Sequence, residues 1–141
     1  MKKNALPAVA ASLFLLAIAA IAALEAGVAF ADAATAQDLI SGAPQEVPIP
    51  GKVTMVDLGA HKCVPCRMMA PIIKELSAEY DGKAAIVFMD VWENPDIPKR
   101  FELRAIPTQI FYDAQGKECF RHEGFLDKQS IVDMLRKLGV N

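Results

Sequence analysis

Two cysteines separated by two residues, Cys63-Val64-Pro65-Cys66, carry the most specific chemistry in the 141-residue chain. They fall where an apolar run, Lys52 to Leu58, gives way to a helical pattern extending from Cys66 to Tyr80. One helical turn brings two such sulfurs within bonding distance. A cysteine at a helix start meets free backbone N–H groups and the positive end of the helix dipole, and both favour thiolate over thiol. Lys62 and Arg67 add positive charge beside it. The chemistry is therefore thiol–disulfide exchange. Cys63 is expected as the exposed nucleophile of lowered pKa, and Cys66, one turn further in, as the shielded partner that closes the disulfide. Pro65 stiffens the first turn without removing an N–H that the helix needs.

Two other uses of the pair are weighed against this one. A structural disulfide would close a loop too short to stabilise much through chain entropy. A soft-metal site, with a copper carrier as the alternative function, would need further ligands. The chain offers His61, His122, Cys119 and six methionines, but no second C-x-x-C or H-x₃-H completes a zinc set. Cys119, beside Phe120, reads as a buried apolar filler. His61 reads as a loop residue near Cys63, and His122 as a surface residue.

The elements that must position the cysteines follow from periodicity. Lys52 to Leu58 is a buried strand interrupted by one acid, Asp57. The helix after it has Met69, Ile72, Ile73 and Leu76 on one stripe, and Pro71 inside it. Ala84 to Val91 is a second strand, Pro95 to Leu103 a short helix, and Thr108 to Tyr112 a third strand. Asp113 to Gly116 is a hairpin turn into a fourth strand, Lys117 to Glu123. Asp127 caps a last helix that ends at Leu138 before Gly139. The order β-α-β-α-β-β-α implies an α/β fold with a mixed sheet of four to five strands between helices.

The N-terminus reads as an address. Lys2 and Lys3 precede a charge-free stretch from Ala5 to Leu24, and Ala29-Phe30-Ala31 has the small-x-small form of a cleavage site. Residues 1–31 are expected to be a signal peptide, or an uncleaved anchor through residues 5–24. Either places the rest outside the cytoplasm, in the periplasm or tethered to the inner membrane. Residues 32–50, rich in alanine and then proline, are expected as a linker holding one short helix, Thr35 to Ile40, with the domain at 51–141. Fifteen basic against seventeen acidic residues leave a net charge of −2, which excludes a strongly basic nucleic-acid binder. A hydrophobic content of 53% excludes a disordered chain.

Val56-Asp57-Leu58, the run from Cys63 to Pro71, and Ala105-Ile106-Pro107-Thr108 together resemble the thioredoxin family, over residues 52–140. With the export segment, the chain is similar to the extracytoplasmic thioredoxin-like oxidoreductases of bacteria. The resemblance implies a thioredoxin fold and a redox-active Cys63–Cys66 disulfide, with no bound cofactor or metal. It makes Cys63 the attacking and Cys66 the resolving cysteine. Ile106-Pro107 matches the family's cis-proline loop, which faces the cysteines. Val64, Pro65, Ile106, Pro107 and Gly124 are implied to touch substrate, Gly124 as a position where a side chain would obstruct the groove. Asp57 matches the acid beneath the site, and burial should raise its pKa so that it can accept the proton of Cys66 through water. Pro71 matches the family's helix kink. The implied partners are protein thiols and disulfides, such as apocytochrome c, and a membrane electron donor of the CcdA/DsbD type feeding a reductant.

The chain departs from the family at several positions. Lys62 and Gly59 stand where tryptophans are common, and the only tryptophan is Trp92. The lysine that often pairs with the buried acid is expected to fall at Ile86, and the middle dipeptide is Val-Pro. Lys62 should deepen the thiolate character of Cys63 and make the disulfide more oxidising.

Overall fold

The computed structural model describes residues 34–141; the expected signal or anchor segment and its cleavage site lie outside them. The described chain runs α1 (Ala36–Leu39), β1 (Thr54–Gly59), α2 (Val64–Glu79), β2 (Ala85–Asp90), α3 (Ile97–Arg100), β3 (Thr108–Tyr112), β4 (Glu118–Glu123) and α4 (Lys128–Lys137). This is the expected order, with α3 reduced to one turn. Among the described residues no helix is long and apolar enough to cross a membrane.

The four strands form one mixed sheet in the order β2-β1-β3-β4. β1 and β2 are parallel because α2 carries the chain back between them. β3 lies antiparallel to β1, and β4 returns antiparallel beside it after the Asp113–Gly116 turn. Side chains alternate between the two faces of a strand, and the core divides accordingly. Met55, Ile86 and Phe111 pack under Met69, Ile73 and Leu76 of α2 and Ile131 and Leu135 of α4. Val56, Leu58, Val87, Met89 and Ile110 form the other layer with Leu39, Ile97 and Phe101. The same alternation puts Asp57, two residues from Met55, on the α2 face.

The expected linker is part of the fold from Ala34 onward. Thr35 caps α1 reciprocally with Asp38, and the buried Leu39 joins the second core layer. Val47 and Ile49 pack against that layer as well. Asp90 N–H donates to Gly42 O at 2.9 Å, and Ser77 Oγ donates to Ala36 O at 3.1 Å. Proline-rich composition suggested a spacer, but the apolar residues between the prolines cover a sheet face that would otherwise meet water.

Cys119 is exposed rather than buried. It lies on β4, an edge strand on which the neighbouring Phe120 sets its ring 5.8 Å from that of Phe111. Its Sγ sits 3.3 Å from Lys117 O at the hairpin. Cys119 is the extra residue of a β-bulge, since Phe111 pairs with Phe120 and Tyr112 with Glu118, and on this open edge even Phe120 is 37% exposed.

Candidate active site

The cysteine pair sits at the start of α2. That helix begins at Val64, earlier than periodicity indicated, because Pro65 is tolerated in a first turn. Cys63 is its N-cap in extended conformation, with φ −83°, and its carbonyl accepts the N–H of Arg67 at 3.0 Å. Cys63 and Cys66 are joined in a disulfide with their Cα atoms 5.2 Å apart. Cys63 is less open than expected, with 8% of its surface exposed against 4% for Cys66. The disulfide turns its sulfur toward Cys66, and Ala60 and Ile106 pack against both. Cys63, expected to be exposed, is buried in the oxidised state and only slightly more open than Cys66.

The loop before β3 brings the next residues in. Ile106–Pro107 is a cis peptide bond. The half-buried Ile106 side chain rests on the cysteines, and Pro107 is buried. Gly124 N–H donates to Pro107 O at 2.7 Å, so the end of β4 is pinned to this loop. Gly124 has φ +103°, and a Cβ there would meet nothing within 4 Å. Within the chain, backbone conformation rather than crowding selects glycine at this position. Val64 is 68% exposed and Pro65 is exposed too, on the outer side of the first turn. The structure thus gathers Cys63, Cys66, Val64, Pro65, Ile106, Pro107 and Gly124 around the beginning of α2.

Asp57 lies below them on β1 and is 1% exposed. Burial pushes its carboxyl up to about 7, against a partial opposing pull from a hydrogen bond. The donor of that bond is Gln109 Nε2, 2.8 Å from Asp57 Oδ1. Gln109 was not foreseen. A single polar residue in the strand Thr108–Tyr112 carries no chemical signature, and only the register that pairs Asp57 with Gln109 shows its use. On the other side, the register sets Phe88, not Ile86, opposite Asp57; Ile86 faces Met55. The place expected to lack a lysine therefore belongs to an aromatic ring.

A cleft of about 120 Å³ connects this acid with Cys66. Its walls include Ala60, Phe88 and Ile73, and its rim carries His61, Arg67 and Lys74. Gly59 stands close by, and a Cβ there would come 3.2 Å from Cys66 Cβ and 3.3 Å from the Phe88 ring. The cleft gives water a place beside both groups that exchange a proton in the expected reaction.

The remaining expected residues are placed as follows. Lys62 is exposed next to Cys63. His61 presents its ring to Phe88 at 5.2 Å, and its backbone N–H donates to Asp90 Oδ2 at 2.8 Å. Trp92 and Glu93 N–H groups donate to Asp90 Oδ1, so this buried carboxylate staples the loop after β2 to the loop before α2. Burial alone would raise the Asp90 carboxyl; the three N–H donors together outweigh it and hold it below the usual range. Among the described residues the one three-donor cluster of metal-ligand type is His61, Asp90 and Glu93, which includes neither cysteine. His122 is half-buried, its Nε2 3.1 Å from Phe125 O.

The chain has clear relatives. The family model described as Thioredoxin matches residues 44–137. The thioredoxin of Staphylococcus saprophyticus is 40% identical over 85 residues, covering 60% of this chain and 81% of the relative. That of Staphylococcus haemolyticus is 41% identical over the same length. Among solved structures, chloroplastic thioredoxin z superposes with a TM-score of 0.56 at 30% identity, covering 62% of this chain and 79% of that one. Thioredoxin NaTrxh from Nicotiana alata does so at 0.55 and 36% identity, covering 62% and 73%.

Proposed function

Because the chain belongs to the thioredoxin family and is a thiol–disulfide oxidoreductase, we propose that it works outside the cytoplasm as a reductant of protein disulfides. The observation that carries the exchange chemistry in this reading is the Cys63–Cys66 pair at the amide end of α2, against Ile106. In the reduced protein the Cys63 thiolate attacks one sulfur of a substrate disulfide. A Cys63–substrate disulfide forms and the other substrate sulfur leaves as thiolate, which takes a proton from water. Cys66 then gives its proton to Asp57 through water in the cleft and attacks Cys63 Sγ. The Cys63–Cys66 bond forms, and the substrate leaves with both cysteines reduced. Two electrons have moved from this chain to the substrate.

Val64 and Pro65 flank the attacking sulfur, and the backbone of Ile106 pairs with the substrate strand. Pro107 and Gly124 border its path. Lys62 modulates the thiolate by its positive charge. To act repeatedly the chain needs a source of two electrons, and a membrane thiol transporter of the CcdA/DsbD type fits the expected location, with apocytochrome c as one class of recipient. The export address at residues 1–31 supports that location; a released protein beginning at Asp32 would agree with cleavage, and one found in the cytoplasm at full length would refute export.

Direction is tested by redox equilibrium of the Cys63–Cys66 pair against glutathione. A reductant is expected to lie well below about −150 mV, toward the thioredoxin end of the scale; a potential above that would make it an oxidant instead.

A further inference from the structure

Gln109 is a buried polar side chain to which the exchange reaction assigns no task. We propose that it is a positioning residue for the acid: its amide N–H fixes Asp57 Oδ1, so that Oδ2 is the oxygen presented to the proton leaving Cys66. This rests on the reading of Asp57 as acceptor of that proton.

The geometry is specific. Gln109 is 0% and Asp57 1% exposed, and their strands pair them directly across the sheet. The Nε2–Oδ1 bond is 2.8 Å long. Two buried atoms of the pair, Asp57 Oδ2 and Gln109 Oε1, have no hydrogen-bond partner among the described residues. Both are acceptors while the acid is charged, and buried acceptors without donors are costly. A proton on Oδ2 relieves that oxygen of its buried charge, while the amide N–H on Oδ1 holds the other oxygen and favours the charged form. The amide thus leaves a single oxygen free and places there the deficit that a proton relieves. Phe88, opposite on β2, offers neither charge nor donor. The titratable or charged groups facing the cleft are His61, Cys66, Arg67 and Lys74, and none is hydrogen-bonded to Asp57.

The test is a carboxyl ¹³C NMR titration of Asp57 in the oxidised full chain, in wild type, Gln109→Met and Gln109→Leu. Met keeps the length of the glutamine and Leu is a shorter apolar replacement, so the measurement does not depend on one variant folding. Loss of an N–H that favours the charged form is expected to raise the Asp57 midpoint by about one pH unit, a tenfold gain in proton affinity. The pH profile for release of a fluorescent thiol from its Cys63 adduct should move upward with it. A midpoint that stays or falls overturns the proposal, whatever happens to stability. Asp57→Asn separates the two levels. If that variant keeps the wild-type release profile, the reading of Asp57 as acceptor has failed. If it loses the profile while the Gln109 variants leave the midpoint unmoved, only the role of Gln109 has failed.

Discussion

Cys63→Ser is expected to bring insulin disulfide reduction down to the uncatalysed background, a loss of about a thousandfold or more, because the remaining thiol, Cys66, lies one turn further in and is the more buried of the two. Cys66→Ser should behave differently. It keeps the attacking sulfur and lacks the one that displaces the substrate, so it should accumulate mixed disulfides through Cys63. The contrast assigns roles, since both changes delete the same disulfide. Unfolding does not explain either loss. The bond closes a loop with a sequence separation of 3. By the chain-entropy relation such a loop contributes about 2 kcal/mol, while the two core layers remain untouched. Trapping that depends on Cys66 instead of Cys63 would reverse the assignment.

The second large effect concerns stability and pH. Asp57 has a folded pKa of about 7, raised from the ordinary 3.8. Between those values the folded chain binds the proton and the unfolded chain releases it, so stability falls as pH rises. The contribution of the protonated acid is complete below the unfolded value and is lost as pH passes through about 7. At 1.36 kcal/mol per pH unit, the whole penalty for burying the charge is roughly 4 kcal/mol. Asp57→Asn cannot ionise, and its amide offers a donor where the carboxylate has only acceptors. In urea denaturation of the oxidised protein, the variant should be more stable than wild type at about pH 9 by up to roughly 4 kcal/mol, with the advantage vanishing near pH 4. A constant difference at both ends would show that Asp57 has the same pKa in the folded and the unfolded chain, so that burial does not shift it. The variant should also slow release of substrate from Cys63. Stability would then rise as function falls, as expected where a charge is buried for chemistry.

Much of this was legible from residue types alone. The cysteine spacing at a strand-to-helix junction announced its chemistry, and strand and helix periodicities placed the elements in their observed order. Asp57 stood out as one acid in an apolar run, and its burial followed. What the sequence concealed depended on register and edges. Gln109 became meaningful only when β1 and β3 were paired, since a neutral amide in a strand has no pattern of its own. Phe88 took the place expected for Ile86 because a misjudged loop length moves the register by two residues, which keeps the side chain on the same face but changes its cross-strand partner. Cys119 misled because it is the bulged residue of an edge strand on which even its apolar neighbour Phe120 stays exposed. The proline-rich segment before β1 misled in the opposite sense, since its Leu39, Val47 and Ile49 are too sparse for a periodic signal yet cover a sheet face.

Everything in the exchange reaction depends on ionisation of Cys63 near neutral pH. The direct measurement is the iodoacetamide alkylation rate of each cysteine in the reduced full chain, across the thiol titration range. Cys63 should react first, with a midpoint below about 7.5 against about 8.5 for a free cysteine, and Cys66 should lag behind it. A Cys63 midpoint at the free-cysteine value, or faster reaction at Cys66, would contradict the account.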